Sequence, residues 1–378
     1  MKKTALAVSV ISALAASGIA LGSPIDDELA AIKARLKALE EQVQAQNDVI
    51  REKDRQIQEL VSNPSIRESP EGHRWTDSIE VGGVIELEAG HVSSDGDDES
   101  DIVAATVEVG IAAQINDWVA AETTLLYEEE TDNNGDLNVD VAIVTIADPD
   151  SNWFVAGGIM YVPFGTFDTN MISDPLTLDL GETSDTAILA GMKFGAVTGS
   201  VYTFQGDRDD QIENFGAALN VEMGGEDMQF AGHIGYINDI GETDGLFETI
   251  DDGIGFADDD DTAGWAASAR LDAGPFAFIA EYVAAVDDVP GTDDQPEAFN
   301  LEAGFSFDLV GKPAVFALAY QGTDGYENID PTVSEKRVGG ALTVEIFEGT
   351  SVALEYRNDE DYNGDDADTV TAKVAVEF

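Results

Sequence analysis

Between residues 78 and 378 the chain alternates apolar and polar side chains, and no stretch there approaches the roughly 20 consecutive apolar residues of a membrane helix. The last ten residues show the rule plainly: Val370, Ala372, Val374, Val376 and Phe378 fall on one face of a strand, Thr369, Thr371, Lys373 and Glu377 on the other. A strand with lipid on one face and water on the other satisfies its backbone only when its neighbours close into a ring. Sixteen segments follow this period: 79–91, 101–115, 118–127, 137–147, 153–162, 185–194, 199–205, 213–223, 228–237, 263–271, 275–284, 297–307, 313–321, 335–346, 350–358 and 369–378. The even count is what bacterial barrels require. A mean hydropathy of −0.10 agrees, since alternating strands average near zero. The predicted fold is therefore all-β, a 16-stranded antiparallel transmembrane β-barrel over residues 78–378.

The connectors alternate too. Those after even-numbered segments are short, such as residues 116–117, 272–274 and 347–349, whereas those after odd-numbered segments are mostly longer and acidic. Short turns at one end and long loops at the other are the periplasmic and outer ends of an outer-membrane barrel, which puts both chain ends in the periplasm. An aromatic at the final position, Phe378, resembles the C-terminal signature of bacterial outer-membrane proteins.

The chain opens with Lys2 and Lys3, an apolar run to Leu21 and small residues around 20–23, which predicts a secretory signal over 1–22. Residues 26–61 carry a heptad seam: Leu29, Leu36, Val43, Ile50 and Ile57 at a, and Ile32, Leu39, Gln46, Lys53 and Leu60 at d. This predicts a short periplasmic coiled coil that self-associates, most simply as a homotrimer, followed by a Pro- and Gly-broken linker over 62–77.

Composition narrows the partners. With 76 acidic and 18 basic residues the net charge is −58, which excludes a general nucleic-acid binder, and the lack of cysteine excludes disulfides and thiolate metal sites. Eight of the basic residues and 64 of the acids lie beyond residue 77, and the long connectors hold most of those acids with one basic residue, Arg208. Such loops make a solvated, repulsive outer face. Of three histidines only His233 has inward parity, and no nucleophile motif accompanies it, so no enzyme is expected.

One connector differs from the rest. Residues 163–184 contain Phe164, Phe167, Met171, Ile172, Leu176, Leu178 and Leu180, an apolar load that a hydrated loop would not carry. Pro163 and Gly165 end the strand, so the loop is predicted to fold into the lumen as a constriction built around Pro163, Phe164, Gly165, Phe167, Asp168, Asp174, Pro175 and Glu182. The stretch YVPFGTFDTNMISDPLTLDLGETSDTA, residues 161–187, resembles the signature segment of LbtU-type siderophore porins. That resemblance implies a signal peptide, an N-terminal coiled coil, a sixteen-strand barrel ending in Phe and a link to uptake of a ferric, carboxylate-type siderophore. The acidity of the loops departs from that setting.

Parity also assigns the lumen wall. Glu86, Glu88, Glu108, Glu122, Glu281, Glu302, Glu345 and Glu355, with Glu80 and Asp140, are expected to point inward, as are Lys193, Arg270, Arg337, Arg357 and Lys373. Two uses remain open for the five bases: pairing with wall carboxylates, or a cationic strip that orients an anionic solute. No cofactor is expected beyond loop-bound calcium, for which Asp359, Asp361 and Asn363 ahead of Gly364 form a partial EF-hand-like spacing that lacks the twelfth-position Glu.

Overall fold

The computed structural model describes residues 78–378 apart from 95–96, 130–134, 207, 209–211, 226, 254–260 and 291. The expected signal, coiled coil and linker lie outside the described residues. Sixteen strands form: β1 (Ile79–Ser94), β2 (Asp97–Asn116), β3 (Val119–Tyr127), β4 (Asn138–Ala147), β5 (Trp153–Tyr161), β6 (Ser184–Phe194), β7 (Val197–Phe204), β8 (Asn214–Gly224), β9 (Met228–Ile237), β10 (Gly264–Ala273), β11 (Phe276–Ala285), β12 (Glu297–Leu309), β13 (Lys312–Asp324), β14 (Ser334–Phe347), β15 (Thr350–Asp361) and β16 (Asp366–Glu377). Each pairs antiparallel with its sequence neighbours, and β1 pairs with β16 from Val84↔Glu377 to Ser94↔Ala367, closing the ring. Phe378 seals the seam through Phe378 N–H to Gly83 O at 3.1 Å and Gly83 N–H to Phe378 O at 3.0 Å.

Two expected loops turn out to be ladder. β1 and β2 continue to Ser94↔Asp97, and β15 and β16 to Glu360↔Asp366, so much of the acid assigned to those loops sits on hairpins. Once strands leave lipid they need no apolar face, so alternation stops while hydrogen bonding continues.

The outward face is an apolar band, with Ile85, Leu87, Ile111, Val144, Leu219, Leu301 and Leu354 all exposed. Aromatic side chains rim it at both ends. Tyr161, Tyr236, Trp265, Tyr320 and Tyr356 lie toward the long loops, and Trp118, Trp153, Phe194, Phe276 and Phe347 toward the short turns. Such paired girdles mark the two headgroup levels, where an amphipathic ring has one side in hydrocarbon and the other wet.

The compact apolar core is inside the barrel. Met160, Phe164, Leu180, Tyr202, Phe204, Ile237, Ile240, Leu246, Ile250 and Val283 form one buried cluster, built from inward strand positions and from two loops that fold into the lumen. The first is the β5–β6 loop, which carries a short helix α1 (Leu176–Gly181). The second is the β9–β10 loop, a 3-10 turn (Ile240–Glu242) leading into α2 (Asp244–Gly253). The sequence reading reserved inward folding for the first loop alone, but Ile240, Leu246 and Ile250 are fully buried against it. An amphipathic helix buries its stripe wherever an apolar surface is offered, and α1 offers one.

Candidate pore site

The β5–β6 loop is held by wall carboxylates that accept its backbone N–H groups. Glu281 on β11 accepts from Thr166 N–H at 2.8 Å, Phe167 N–H at 3.1 Å and Thr177 Oγ1 at 2.9 Å. Glu302 on β12 accepts from Thr169 Oγ1 at 2.8 Å, Asn170 N–H at 2.9 Å and the Asn170 amide. Glu355 on β15 accepts from Ile172 N–H at 2.5 Å, Ser173 N–H at 3.2 Å and Ser173 Oγ at 2.6 Å. A loop without its own ladder must find partners for its donors, and ionised acceptors make the stronger bonds.

Further side chains complete the cradle. Leu176 N–H donates to Gln321 Oε1 at 3.0 Å, His233 Nε2 donates to Phe164 O at 3.0 Å, and Arg337 Nη1 donates to Asp174 O at 3.0 Å. The Asn300 amide approaches Asp168 O at 3.5 Å, and its Oδ1 is buried without a partner. Phe167 adopts φ 52°, a left-handed conformation costly for an aromatic residue and kept in place by Glu281 at its N–H. Gly235 allows the docking: a Cβ there would stand 2.2 Å from Phe164 O.

Of the eight residues assigned to the constriction, Phe164 is fully buried and Pro175, the N-cap of α1, is buried as well. Asp174 and Asp179 face the open lumen, and burial holds both carboxyls above the usual carboxylate range. Glu182 caps the C-terminus of α1, and its carboxyl is pushed up to about 7 by burial first, then by the charges of Asp244, Asp174, Asp140 and Glu128. The two inward loops meet there: Asp244 N–H donates to Glu182 O at 2.8 Å, Ser184 N–H to the Asp244 carboxylate at 3.0 Å, and Thr243 Oγ1 to Leu180 O at 2.8 Å.

Beside the inward loop, among the described residues, lies a cavity of about 1260 Å³. Its wall comes from β1, β2, β14, β15 and β16, with Glu128 just past β3, and the loop segment Thr169–Asp179 closes the other side. Seven carboxylates line it (Glu86, Glu88, Glu99, Asp101, Glu128, Asp174, Asp179) against three bases, Arg337, Arg357 and Lys373. All three bases are paired. Lys373 meets Glu86 at 3.1 Å and Glu88 at 4.0 Å, while Arg337 and Arg357 share Asp359 at 2.6 and 3.0 Å.

The other assigned residues sit elsewhere. Arg270 pairs with Asp272 at 3.0 Å on β10, and Lys193 is exposed near the short-turn end of β6. Glu122 lines a smaller cavity of about 350 Å³ with Glu80 and Gln114, also at that end. Glu108 is half-buried opposite Val84, and Glu345 lies at a register shift against β15. Asp140 sits at a bulge, where the register passes from Thr124↔Val141 to Leu125↔Val139, and its carboxylate accepts from Tyr161 Oη at 2.6 Å.

The residues of the calcium spacing have other partners in the structure. Asp359 is committed to two guanidinium groups, and Asp361 accepts from Asn363 N–H at 2.8 Å and Asp365 N–H at 2.9 Å, closing its own turn. No group of three or more His, Cys, Asp or Glu side chains fit to hold a metal ion occurs among the described residues.

The loop-holding residues Gln321, Asn300 and His233 carry no motif. Their signal was inward parity on strands facing an apolar loop, which demands polar acceptors and donors. The β9–β10 loop had a more direct one in the four-residue spacing of Leu246 and Ile250.

The closed antiparallel ring is a fold shared with solved outer-membrane channels and porins. The outer-membrane channel DcaP of Acinetobacter baumannii superposes with a TM-score of 0.58 at 15% identity, covering 79% of this chain and 97% of that one. A high-pH structure of Pseudomonas putida OprB gives 0.60 at 9% identity, over 80% and 95%. In sequence, the UPF0422 protein lpp3030 of Legionella pneumophila (strain Paris) is 27% identical over 337 residues, 74% of this chain and 62% of that protein. The chain thus spans about three fifths of the length of the curated relatives it matches. No family model matches the chain.

Proposed function

We propose that this protein is an outer-membrane porin through which small solutes diffuse passively, with a preference for cations. The observation that carries it is the lining of the open cavity: seven carboxylates face three bases, and each base is in an ion pair, Lys373 with Glu86 and the two arginines sharing Asp359. A wall with excess negative charge concentrates cations and depletes anions within a Debye length, about 10 Å at 0.1 M salt, which is comparable to the width such a cavity offers. The inward loop sets the width and the wall sets the sign. Purified protein in a planar bilayer across a KCl gradient should give a reversal potential favouring K⁺ over Cl⁻. Anion preference, or no conductance from folded protein, would overturn the proposal.

A second reading gives the pore a dedicated solute, a ferric complex of a carboxylate siderophore. The likeness of residues 161–187 to LbtU-type porins favours it, and Arg337, Arg357 and Lys373 on one wall are the groups that would meet such an anion. Expression should then rise under iron starvation, and binding of a ferric carboxylate should disappear on deletion of residues 163–184. The heptad seam at 29–60 supports a homotrimer assembled on the periplasmic side, which native mass measurement with and without residues 26–61 tests.

A further inference from the structure

We infer that Asp359 tunes the charge selectivity of the pore, acting as a built-in counter-ion that masks the two lumen arginines. β15 carries Arg357 and Asp359 two residues apart, so both point to one face, and the ladder sets Arg337 of β14 directly opposite Asp359. The carboxylate uses one oxygen for each guanidinium, Oδ1 to Arg337 Nε at 2.6 Å and Oδ2 to Arg357 Nε at 3.0 Å, and accepts a third contact from Ser334 Oγ at 2.9 Å. Both arginines line the open cavity, and Asp359 does not. A solute therefore meets guanidinium surface whose charge is half cancelled from behind.

The pairing is unequal. Arg337 makes a proper hydrogen bond to Asp359 and spends Nη1 on Asp174 O, whereas Arg357 Nε, although close, is off-axis and is left buried with no hydrogen-bond partner. Nε itself is out of a solute's reach, but Arg357 lines the cavity, and a carboxylate on a passing solute is the chemical class that fits the exposed edge of its guanidinium. Such a solute competes with Asp359 for the same two arginines. Asp359 thereby adds to the cation preference that the lining carboxylates set, and a carboxylate solute must displace it to engage both arginines.

The inference rests on the porin reading. Asp359→Asn keeps the size and the Ser334 contact while removing the charge. A unit charge some 7–10 Å from the permeating ion, screened at 0.1 M salt, changes the cation-to-anion permeability ratio by about two- to threefold. D359N channels should show that ratio lowered by this factor, and citrate added as a probe should block them at lower concentration than wild type. Glu360→Gln is the control, because Glu360 is exposed and paired with Lys336 away from the cavity; its ratio should not move. Arg357→Gln, with Asp359 and Arg337 intact, should move the ratio the other way. If D359N inserts as a channel with wild-type selectivity and citrate block, or if E360Q shifts the ratio as much, the inference is wrong while the porin reading stands. If folded wild-type protein opens no channel, it is the porin reading that fails.

Discussion

Glu355 is the wall carboxylate whose loss should be easiest to read in a single channel. It binds the tip of the β5–β6 loop, at Ile172 and Ser173, where the loop borders the open cavity. Replacing it with alanine removes three charge-assisted bonds. In a buried site each contributes about 1.5–3 kcal/mol; the hydrated cavity beside the tip supplies replacement water, so about 1 kcal/mol each is the appropriate figure. The tip then loses about 3 kcal/mol of docking free energy, a shift of about a hundredfold in the docked-to-undocked ratio. The loop as a whole stays in place, because Phe164, Leu176 and Leu180 are buried at its ends and each contributes about 1.5–3 kcal/mol. The expected phenotype is an intact barrel whose current flickers between the wild-type level and a larger one, with the tip newly open to protease. Glu122→Ala, a lumen glutamate at the far end, should leave the trace unchanged. A quiet, wild-type-sized current from E355A would refute the idea that wall carboxylates position the loop.

Three further outcomes follow from the junction between the two inward loops. Gly245→Ala places a Cβ 2.0 Å from Asp179 O, so α2 must back away from α1; a cost of about 1–3 kcal/mol should appear as raised protease sensitivity of the β9–β10 loop, with the barrel still resistant to SDS unless heated. The folded Glu182 carboxyl lies near 7 against 4.5 for the free group, so above pH 7 its charge weakens the junction, and the penalty is relieved as pH falls from 7 toward 4.5. Channel noise should therefore rise with pH through about 7 in the wild type and stay flat in Glu182→Gln. Arg208 holds buried Asp239 at 2.5 Å where Asp239 also accepts from Gly241 and Thr262 N–H groups, so Arg208→Ala should loosen the start of the β9–β10 loop, seen as faster hydrogen exchange at 239–246.

The strand count and the inward β5–β6 loop could be read from the residues because each rests on a local pattern. Period-two alternation marks a lipid-facing strand wherever it occurs, and seven apolar side chains in one connector have few places to go. The destination of the lumen glutamates could not be read that way. Parity put Glu281, Glu302 and Glu355 inside correctly, but a negative wall and a set of loop anchors look identical in one dimension. The difference lies in which backbone donors come within 3 Å, over separations above one hundred residues. The pairing of Asp359 was not legible in its spacing from Asp361 and Asn363, because the ladder sets it opposite Arg337 of the neighbouring strand.

The open cavity borders the junction of the first and last strands, and this bears on biogenesis. Glu86 on β1 and Lys373 on β16 lie at opposite ends of the barrel sequence, yet they meet at 3.1 Å on the cavity wall. The surface that solutes would touch therefore does not exist on any partly inserted intermediate: it is created by the same zipping step that makes the cylinder watertight, so a barrel stalled before that step would be leaky and unselective at once.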